Sequence, residues 1–198
     1  MNTRLRAIVI WVGIGVAVIV PIAIAAQSPL LAWRQPVYIL AGFAGVIGLT
    51  ILFLQPLLAR GILPGMSIMH ARRLHKFCGI GLVAAIAVHV SALWITSPPD
   101  VLDALLFRSP TPFSVWGVIA MWTIFASALI AGFRNAFRMR TQFWQRTHLG
   151  LAVVIVGSTV AHAVMIEGTM GVLSKAALCS LVVAGLIKAL WDKRQIIF

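Results

Sequence analysis

Charged residues are scarce in this chain, and acidic residues are the scarcest. Only 10% of the 198 residues are charged, against roughly a quarter in ordinary soluble domains, while 61% are hydrophobic. A soluble fold of this size could not bury so much apolar surface. The composition therefore excludes an ordinary soluble domain, and the length leaves no room for a second domain beside the apolar segments.

Cysteine is also rare, since the chain has only two. Cys78 and Cys179 both fall within apolar segments and lack the spacing of a metal site. We interpret them as small buried residues rather than as a disulfide or a ligand pair.

The shortage of acidic residues leaves a formal net charge of +12, which in a soluble protein would suggest binding to nucleic acid. Here the basic residues lie in short stretches between apolar runs. Membrane topology and anionic lipid headgroups account for basic residues in such places. We therefore expect contact with membrane lipid and no nucleic-acid partner.

The apolar runs predict an all-α, polytopic membrane protein. A spanning helix needs about 20 apolar residues to cross about 30 Å of hydrocarbon, so this chain allows about six spans. Pro and Gly at residues 61–65 and Pro110 and Pro112 separate some of these runs. We predict a single transmembrane domain over residues 1–198, a bundle of six helices at approximately 7–26, 37–58, 77–95, 113–133, 147–166 and 171–191.

The first span has an alternative interpretation. It follows Arg4 and Arg6 and ends near Ala23-Ile24-Ala25, which resembles a signal-peptide cleavage site. We favour an uncleaved helix, because the apolar run is nearly of spanning length and an even number of helices gives consistent charges at both ends.

Basic residues cluster on one side of the predicted topology. If six helices alternate in direction, one face holds Arg4, Arg6, Arg60, Arg72, Arg73, Lys76, Arg134, Arg138, Arg140, Arg146, Lys188, Lys193 and Arg194. The opposite connections are far less basic, with Arg34 and Arg108, and Lys175 just inside the sixth span. The positive-inside rule then places both termini in the cytoplasm.

Four of the five histidines form two pairs with identical spacing. His75 and His89 lie on the third predicted span, His148 and His162 on the fifth, and fourteen positions separate the members of each pair. Fourteen residues of α-helix return to within about 40° of the starting direction and advance about 21 Å, so both members share one helix face. Ionisable groups within a membrane are costly and usually functional, so two matching pairs indicate a ligand site.

The third and fifth spans run in the same direction, so we expect His75 at the depth of His148, and His89 at the depth of His162. Imidazoles that face each other from separate helices supply the two axial ligands of a haem iron. The spacing therefore predicts two haems between the third and fifth helices, stacked across the bilayer as an electron path.

Side chains beside the histidines agree with this hypothesis. Arg73 and Arg146 each lie two residues before an inner histidine, where a guanidinium would pair with a haem propionate, although positive-inside bias alone also accounts for both. Gly79 and Ser158 place small side chains one turn from a histidine, as is also common in membrane packing. His70 has no partner at this spacing, and we expect it to be a solvated loop residue.

These segments resemble the ferric reductase-like transmembrane domain family. The resemblance covers roughly the second to sixth spans and rests on Gln55-Pro56-Leu57-Leu58-Ala59-Arg60, Ala71-Arg72-Arg73-Leu74-His75-Lys76, His89, Trp144-Gln145-Arg146-Thr147-His148 and His162. The family includes the haem-binding membrane subunit of the bacterial methionine sulfoxide reductase system, and the membrane domains of NADPH oxidases and ferric reductases.

The resemblance implies a bacterial inner-membrane protein that transfers electrons through two b-type haems to an acceptor on the periplasmic side. His75 and His148 would hold the inner haem, and His89 and His162 the outer one. The 198 residues contain no flavin or nicotinamide domain, so the expected donor is a separate cytoplasmic flavin-containing NAD(P)H reductase. A periplasmic redox protein is one candidate acceptor.

A metal-ion or proton transporter that uses the histidines as transient ligands is the alternative function. Such pathways commonly use carboxylates within the membrane. The acidic residues of this chain weaken that alternative, because all four fall in connections or at span ends: Asp100, Asp103, Glu167 and Asp192. A third hypothesis is a structural anchor for a larger complex, in which haem serves only assembly.

Overall fold

The computed structural model describes residues 2–197, with side chains described up to residue 191. Over this range the chain folds into seven α-helices and one 3-10 helix, with no strand. The helices are α1 (Thr3–Ala26), α2 (Pro36–Arg60), α3 (Ile68–Thr96), α4 (Pro98–Leu105), α5 (Pro112–Phe133), α6 (Thr141–Met165) and α7 (Val172–Ile197), with the 3-10 helix at Pro29–Leu31. The side chains of Asp192, Lys193 and Arg194, which enter the charge arguments above, lie outside the described residues.

Six of the described helices are long and apolar enough to cross a membrane. They are α1, α2, α3, α5, α6 and α7, and each contains most of one predicted span. The all-α, multi-pass architecture expected from the apolar runs is therefore confirmed.

The helices that contain the third and fifth predicted spans begin several residues before those spans. α3 begins at Ile68 rather than near residue 77, and α6 begins at Thr141 rather than near residue 147. Polar residues end an apolar run in the sequence, but they can still continue a helix beyond it. Ser67 caps the start of α3, because its hydroxyl oxygen accepts a hydrogen bond from the backbone N–H of His70 at 3.3 Å. The loop prediction for His70 was wrong, because this exposed residue lies in the first turn of α3.

The short helix α4 was not predicted. It begins at Pro98-Pro99, where missing N–H groups cost nothing in a first helical turn. Asp100 accepts a hydrogen bond from the Ser97 hydroxyl at 2.6 Å. The acidic residues Asp100 and Asp103 therefore belong to an exposed amphipathic turn between two spans.

α2 is the central helix of the bundle. It packs most extensively against α3 and also contacts α7 and α1, while α5 packs against α6 and α6 against α7. Leu49 and Phe53 of α2 share the core with Leu178 and Val182 of α7, which are both fully buried. The bundle thus contains two helical hairpins, α2–α3 and α5–α6, with α7 packed against both.

Arg60 ties the end of α2 to α7. Its Nε and Nη2 atoms donate to the carbonyl oxygen of Ala189 at 3.1 and 2.6 Å. α2 ends at this point, since Gly61 adopts the left-handed conformation at φ 61° that a C-terminal helix cap favours.

We expect Arg60→Met to lower the free energy of unfolding by about 1–3 kcal/mol, because a charged donor is lost and the Ala189 carbonyl loses its side-chain partner. The measurement is thermal unfolding in detergent, followed by circular dichroism. Arg4→Met, at an exposed arginine in the first turn of α1, is the matched control and should change stability by less than about 0.5 kcal/mol. Equal losses in the two variants would contradict this role of Arg60.

Candidate functional site

The candidate site consists of four histidines, two in each helical hairpin. His75 and His89 lie on α3 and contact α2, and His148 and His162 lie on α6 and contact α5. All four are partly buried. In each case the contact is made through the Nδ1 atom of the imidazole ring.

Three of the four histidines bond to main-chain carbonyl oxygens. The distances from Nδ1 are 3.2 Å for His75 to Gln55, 2.7 Å for His89 to Ala41, and 2.9 Å for His162 to Phe113. A carbonyl oxygen only accepts hydrogen bonds, so Nδ1 carries the proton and the lone pair of a neutral ring lies on Nε2. This is the tautomer in which histidines bind metals through Nε2 while the other nitrogen is held by the protein.

The fourth histidine has a different partner. His148 Nδ1 lies 3.1 Å from the hydroxyl oxygen of Ser127, a buried residue of α5. The His148 ring also stacks on the Trp144 ring, with centroids 4.7 Å apart and planes 27° from parallel.

The partners of the histidines repeat the spacing of the histidines. Ala41 and Gln55 are fourteen positions apart on α2, and Phe113 and Ser127 are fourteen positions apart on α5. In each hairpin, the partner that comes first in the chain contacts the histidine that comes last: Ala41 contacts His89, and Phe113 contacts His162. This order is the one expected for two antiparallel helices. The two hairpins therefore repeat one construction, with one histidine contact at each end of the pair.

Two glycines make room for His89 and His162. Gly45 lies four residues after Ala41, and a Cβ atom added to it would lie 3.2 Å from Nδ1 of His89. Helical side chains lean over the preceding turn, so a side chain at position 45 would crowd the carbonyl oxygen that His89 approaches.

The second glycine stands at the equivalent place in the other hairpin. Gly117 lies four residues after Phe113, and an added Cβ atom would lie 2.8 Å from Nδ1 of His162. Sequence analysis missed both glycines. The sequence does contain a pattern that could have pointed to them. Small residues repeat the fourteen-residue spacing in each hairpin, at Gly45 and Ala59 and at Gly117 and Ala131.

The two hairpins bring their histidines towards each other. The ring centroids of His75 and His148 lie 6.1 Å apart with planes at 85°. The structure therefore brings one predicted pair into direct proximity, and the pairing of His89 with His162 stays a prediction. Among the described helices, α3 contacts α5 but is not in extensive backbone contact with α6, so the His75 and His148 rings meet at the interface between the two hairpins.

The four residues expected beside the histidines are either exposed or contact residues other than the histidines. Arg73 and Arg146 are both exposed. Gly79 faces α2, with an added Cβ atom 3.9 Å from Nε2 of Gln55, and the Ser158 hydroxyl donates to the Val154 carbonyl of its own helix at 2.5 Å. Small residues that face the rings come instead from α2 and α5.

Other ionisable and sulfur-containing side chains do not form a second site within the described part of the chain. No three His, Cys, Asp or Glu side chains there come together as a metal-binding cluster. Asp100, Asp103 and Glu167 are exposed, and Cys78 and Cys179 are free thiols, Cys179 being buried.

Comparisons of the chain with protein-family models, with curated proteins and with solved structures gave no match. The functional interpretation therefore depends on the chemistry of its own residues.

We expect Gly117→Ala to destabilise the protein by about 1–3 kcal/mol, because the new methyl group would displace the His162 ring and leave its N–H and the Phe113 carbonyl poorly paired. Thermal unfolding in detergent measures the effect. Gly157→Ala, at a glycine of α6 with open space around it, is the control and should be neutral or stabilising by about 0.5–1 kcal/mol, as for glycine-to-alanine changes in helices generally. The same sign for both variants would contradict the steric role of Gly117.

Proposed function

We propose that this chain is a transmembrane electron-transfer protein of the ferric reductase-like type that binds two b-type haems. His75 and His148 would bind one iron, and His89 and His162 the other. The observation that carries the proposal is the spacing of the His75 and His148 rings, one from α3 and one from α6.

That spacing matches two imidazoles on opposite sides of one iron. A bond from a metal ion to an imidazole nitrogen is about 2.0–2.1 Å long and the ring centre lies about 1.2 Å beyond, so two axial imidazoles place their centres about 6.4 Å apart. The observed distance is 6.1 Å.

The hydrogen bonds support the same assignment. Three imidazoles donate Nδ1–H to carbonyl oxygens, which leaves Nε2 available as a ligand. Gln55, whose carbonyl holds His75, has a buried amide Nε2 that lacks a hydrogen-bond partner within the described structure. An unpaired buried donor costs about 1–3 kcal/mol, and an acceptor group bound beside it would remove that cost.

The protein groups then have separate tasks. Bound haem supplies reversible one-electron chemistry at its iron. The carbonyl groups of α2 and α5 orient the ligand rings and raise their basicity, and the apolar helices exclude water. Arg73 and Arg146, exposed two residues before His75 and His148, are placed as cationic partners for propionate groups at the inner site.

The direction of transfer follows from charge. Most basic residues lie at one end of the bundle, in the first turns of α1 and α3, at the end of α2 and around the α5–α6 connection: Arg4, Arg6, Arg60, Arg72, Arg73, Lys76, Arg134, Arg138, Arg140 and Arg146. From the positive-inside rule we infer that both termini and the His75–His148 pair face the cytoplasm of a bacterial inner membrane. We infer that a separate flavin-containing NAD(P)H reductase supplies electrons on that side, and that they leave for a periplasmic acceptor at the His89–His162 end.

We expect histidine substitutions to remove haem in pairs. His75→Ala and His148→Ala should each lower the haem-to-protein ratio from two to one, and combining them should lower it no further, because both remove ligands to the same iron. Combining His75→Ala with His89→Ala should remove both haems. The pyridine haemochrome assay on detergent-purified protein gives the ratio.

His70→Ala is the matched control and should keep the ratio of the unchanged protein, because this exposed histidine bonds to Ser67 rather than facing another helix. Full haem content in the four ligand variants would exclude the proposed ligands.

We also expect an unusual magnetic signature from the inner site. The His75 and His148 ring planes are 85° apart, and near-perpendicular axial imidazoles give a ferric haem a highly anisotropic low-spin spectrum. Electron paramagnetic resonance of the oxidised protein measures it. The signal should persist in His89→Ala and vanish in His75→Ala. An inner signal typical of parallel imidazole planes would contradict the geometry.

A further inference from the structure

The inner and outer histidine pairs differ at one position. Three histidines meet a main-chain carbonyl oxygen, but His148 meets the side-chain hydroxyl of Ser127. Ser127 lies fourteen positions after Phe113, and Gln55 lies fourteen positions after Ala41. Ser127 is therefore the equivalent of Gln55, but its side-chain hydroxyl contacts the histidine where Gln55 uses its main-chain carbonyl.

A hydroxyl is a weaker and less restrictive partner than a carbonyl. It can accept a hydrogen bond from a protonated Nδ1 or donate one to an unprotonated Nδ1, whereas a carbonyl only accepts hydrogen bonds. The Ser127 side chain is 7% exposed, so water does not readily replace it beside His148. The state of the His148 ring is therefore controlled by one buried side-chain oxygen.

A second contact holds the plane of the same ring. Trp144 lies one helical turn before His148 and stacks on it at a centroid distance of 4.7 Å. The guanidinium of Arg134 lies 5.9 Å from the centroid of the Trp144 ring, within the range of a cation–π interaction. Arg134, Trp144 and His148 thus form a continuous series of contacts that leads from the exposed end of α5 to the inner pair.

We propose that Ser127 and Trp144 are positioning residues of the inner site, Ser127 by accepting a hydrogen bond from His148 Nδ1–H and Trp144 by fixing the plane of the His148 ring. This inference rests on the proposed haem ligation. It assigns the ligand strength of one histidine, His148, to replaceable side chains, whereas a main-chain carbonyl is the partner of each of the other three histidines.

Replacement of Ser127 has a defined electronic consequence. Without an acceptor, the Nδ1–H group is unpaired and the imidazole donates less electron density through Nε2, which favours the reduced iron. Ser127→Ala should therefore shift the midpoint potential of the inner haem to a more positive value and leave that of the outer haem unchanged. Ser127→Thr retains a hydroxyl and should restore the original potential.

The matched control is Ser158→Ala. This change removes an equally buried serine hydroxyl that bonds to its own helix at Val154 rather than to a histidine. Trp144→Leu provides an independent variant, which should alter the anisotropic resonance signal of the inner haem, and Trp144→Phe should preserve it because a ring remains to stack. Trp122→Leu is the control for Trp144→Leu. It removes the indole of a tryptophan that contacts Phe125 rather than a histidine, and it should leave the signal unchanged.

The experiment is a redox titration of purified protein, followed optically and by electron paramagnetic resonance, for the unchanged protein and these variants. A positive shift of one potential in Ser127→Ala, its reversal in Ser127→Thr and no shift in Ser158→Ala are the expected results. Two haems with unchanged potentials in Ser127→Ala, or an unchanged inner signal in Trp144→Leu, would overturn the inference while leaving the proposed function intact. An unchanged protein that binds no haem would overturn both.

Discussion

A polar imidazole ring inside hydrocarbon must have its N–H group paired, and this constraint organises the bundle. An unpaired polar group in the membrane costs several kcal/mol, and no water is present to relieve it. The chain meets the constraint by bringing each histidine against the preceding helix, so that three Nδ1 atoms reach carbonyl oxygens and one reaches Ser127. The other ring nitrogen is then available to a ligand.

The hairpins follow from that pairing. A carbonyl oxygen in a helix already accepts a backbone hydrogen bond, so a ring can reach it only from the side and only where the covering side chain is small. Gly45 and Gly117 provide that access at His89 and His162. With α3 packed closely on α2 and α6 on α5, the His75 and His148 rings meet between the hairpins with their centroids 6.1 Å apart.

Sequence analysis located the spans because the thickness of the hydrocarbon layer sets their length. It located the four histidines because their spacing follows the repeat of the α-helix. Helices α3 and α6 begin before the predicted spans, since Ser67 and the polar first turns add helix beyond the apolar run. The hydrogen-bond partners of the histidines were not foreseen. Every residue has a main-chain carbonyl, so nothing in the sequence marks Gln55 or Ala41 as the residue whose carbonyl contacts a histidine. Ser127 was detectable only as an ordinary small residue. The expected roles of Arg73 and Arg146 remain predictions.

The central claim is that the four histidines form two iron sites rather than four hydrogen-bonded packing contacts. The most direct test is the haem-to-protein ratio of the unchanged protein, purified in detergent after expression with ample haem and measured together with its oxidised and reduced absorption spectra. The account predicts a ratio near two, with the spectra of bis-histidine b-type haem. A protein that is folded, helical and free of haem under these conditions would contradict it.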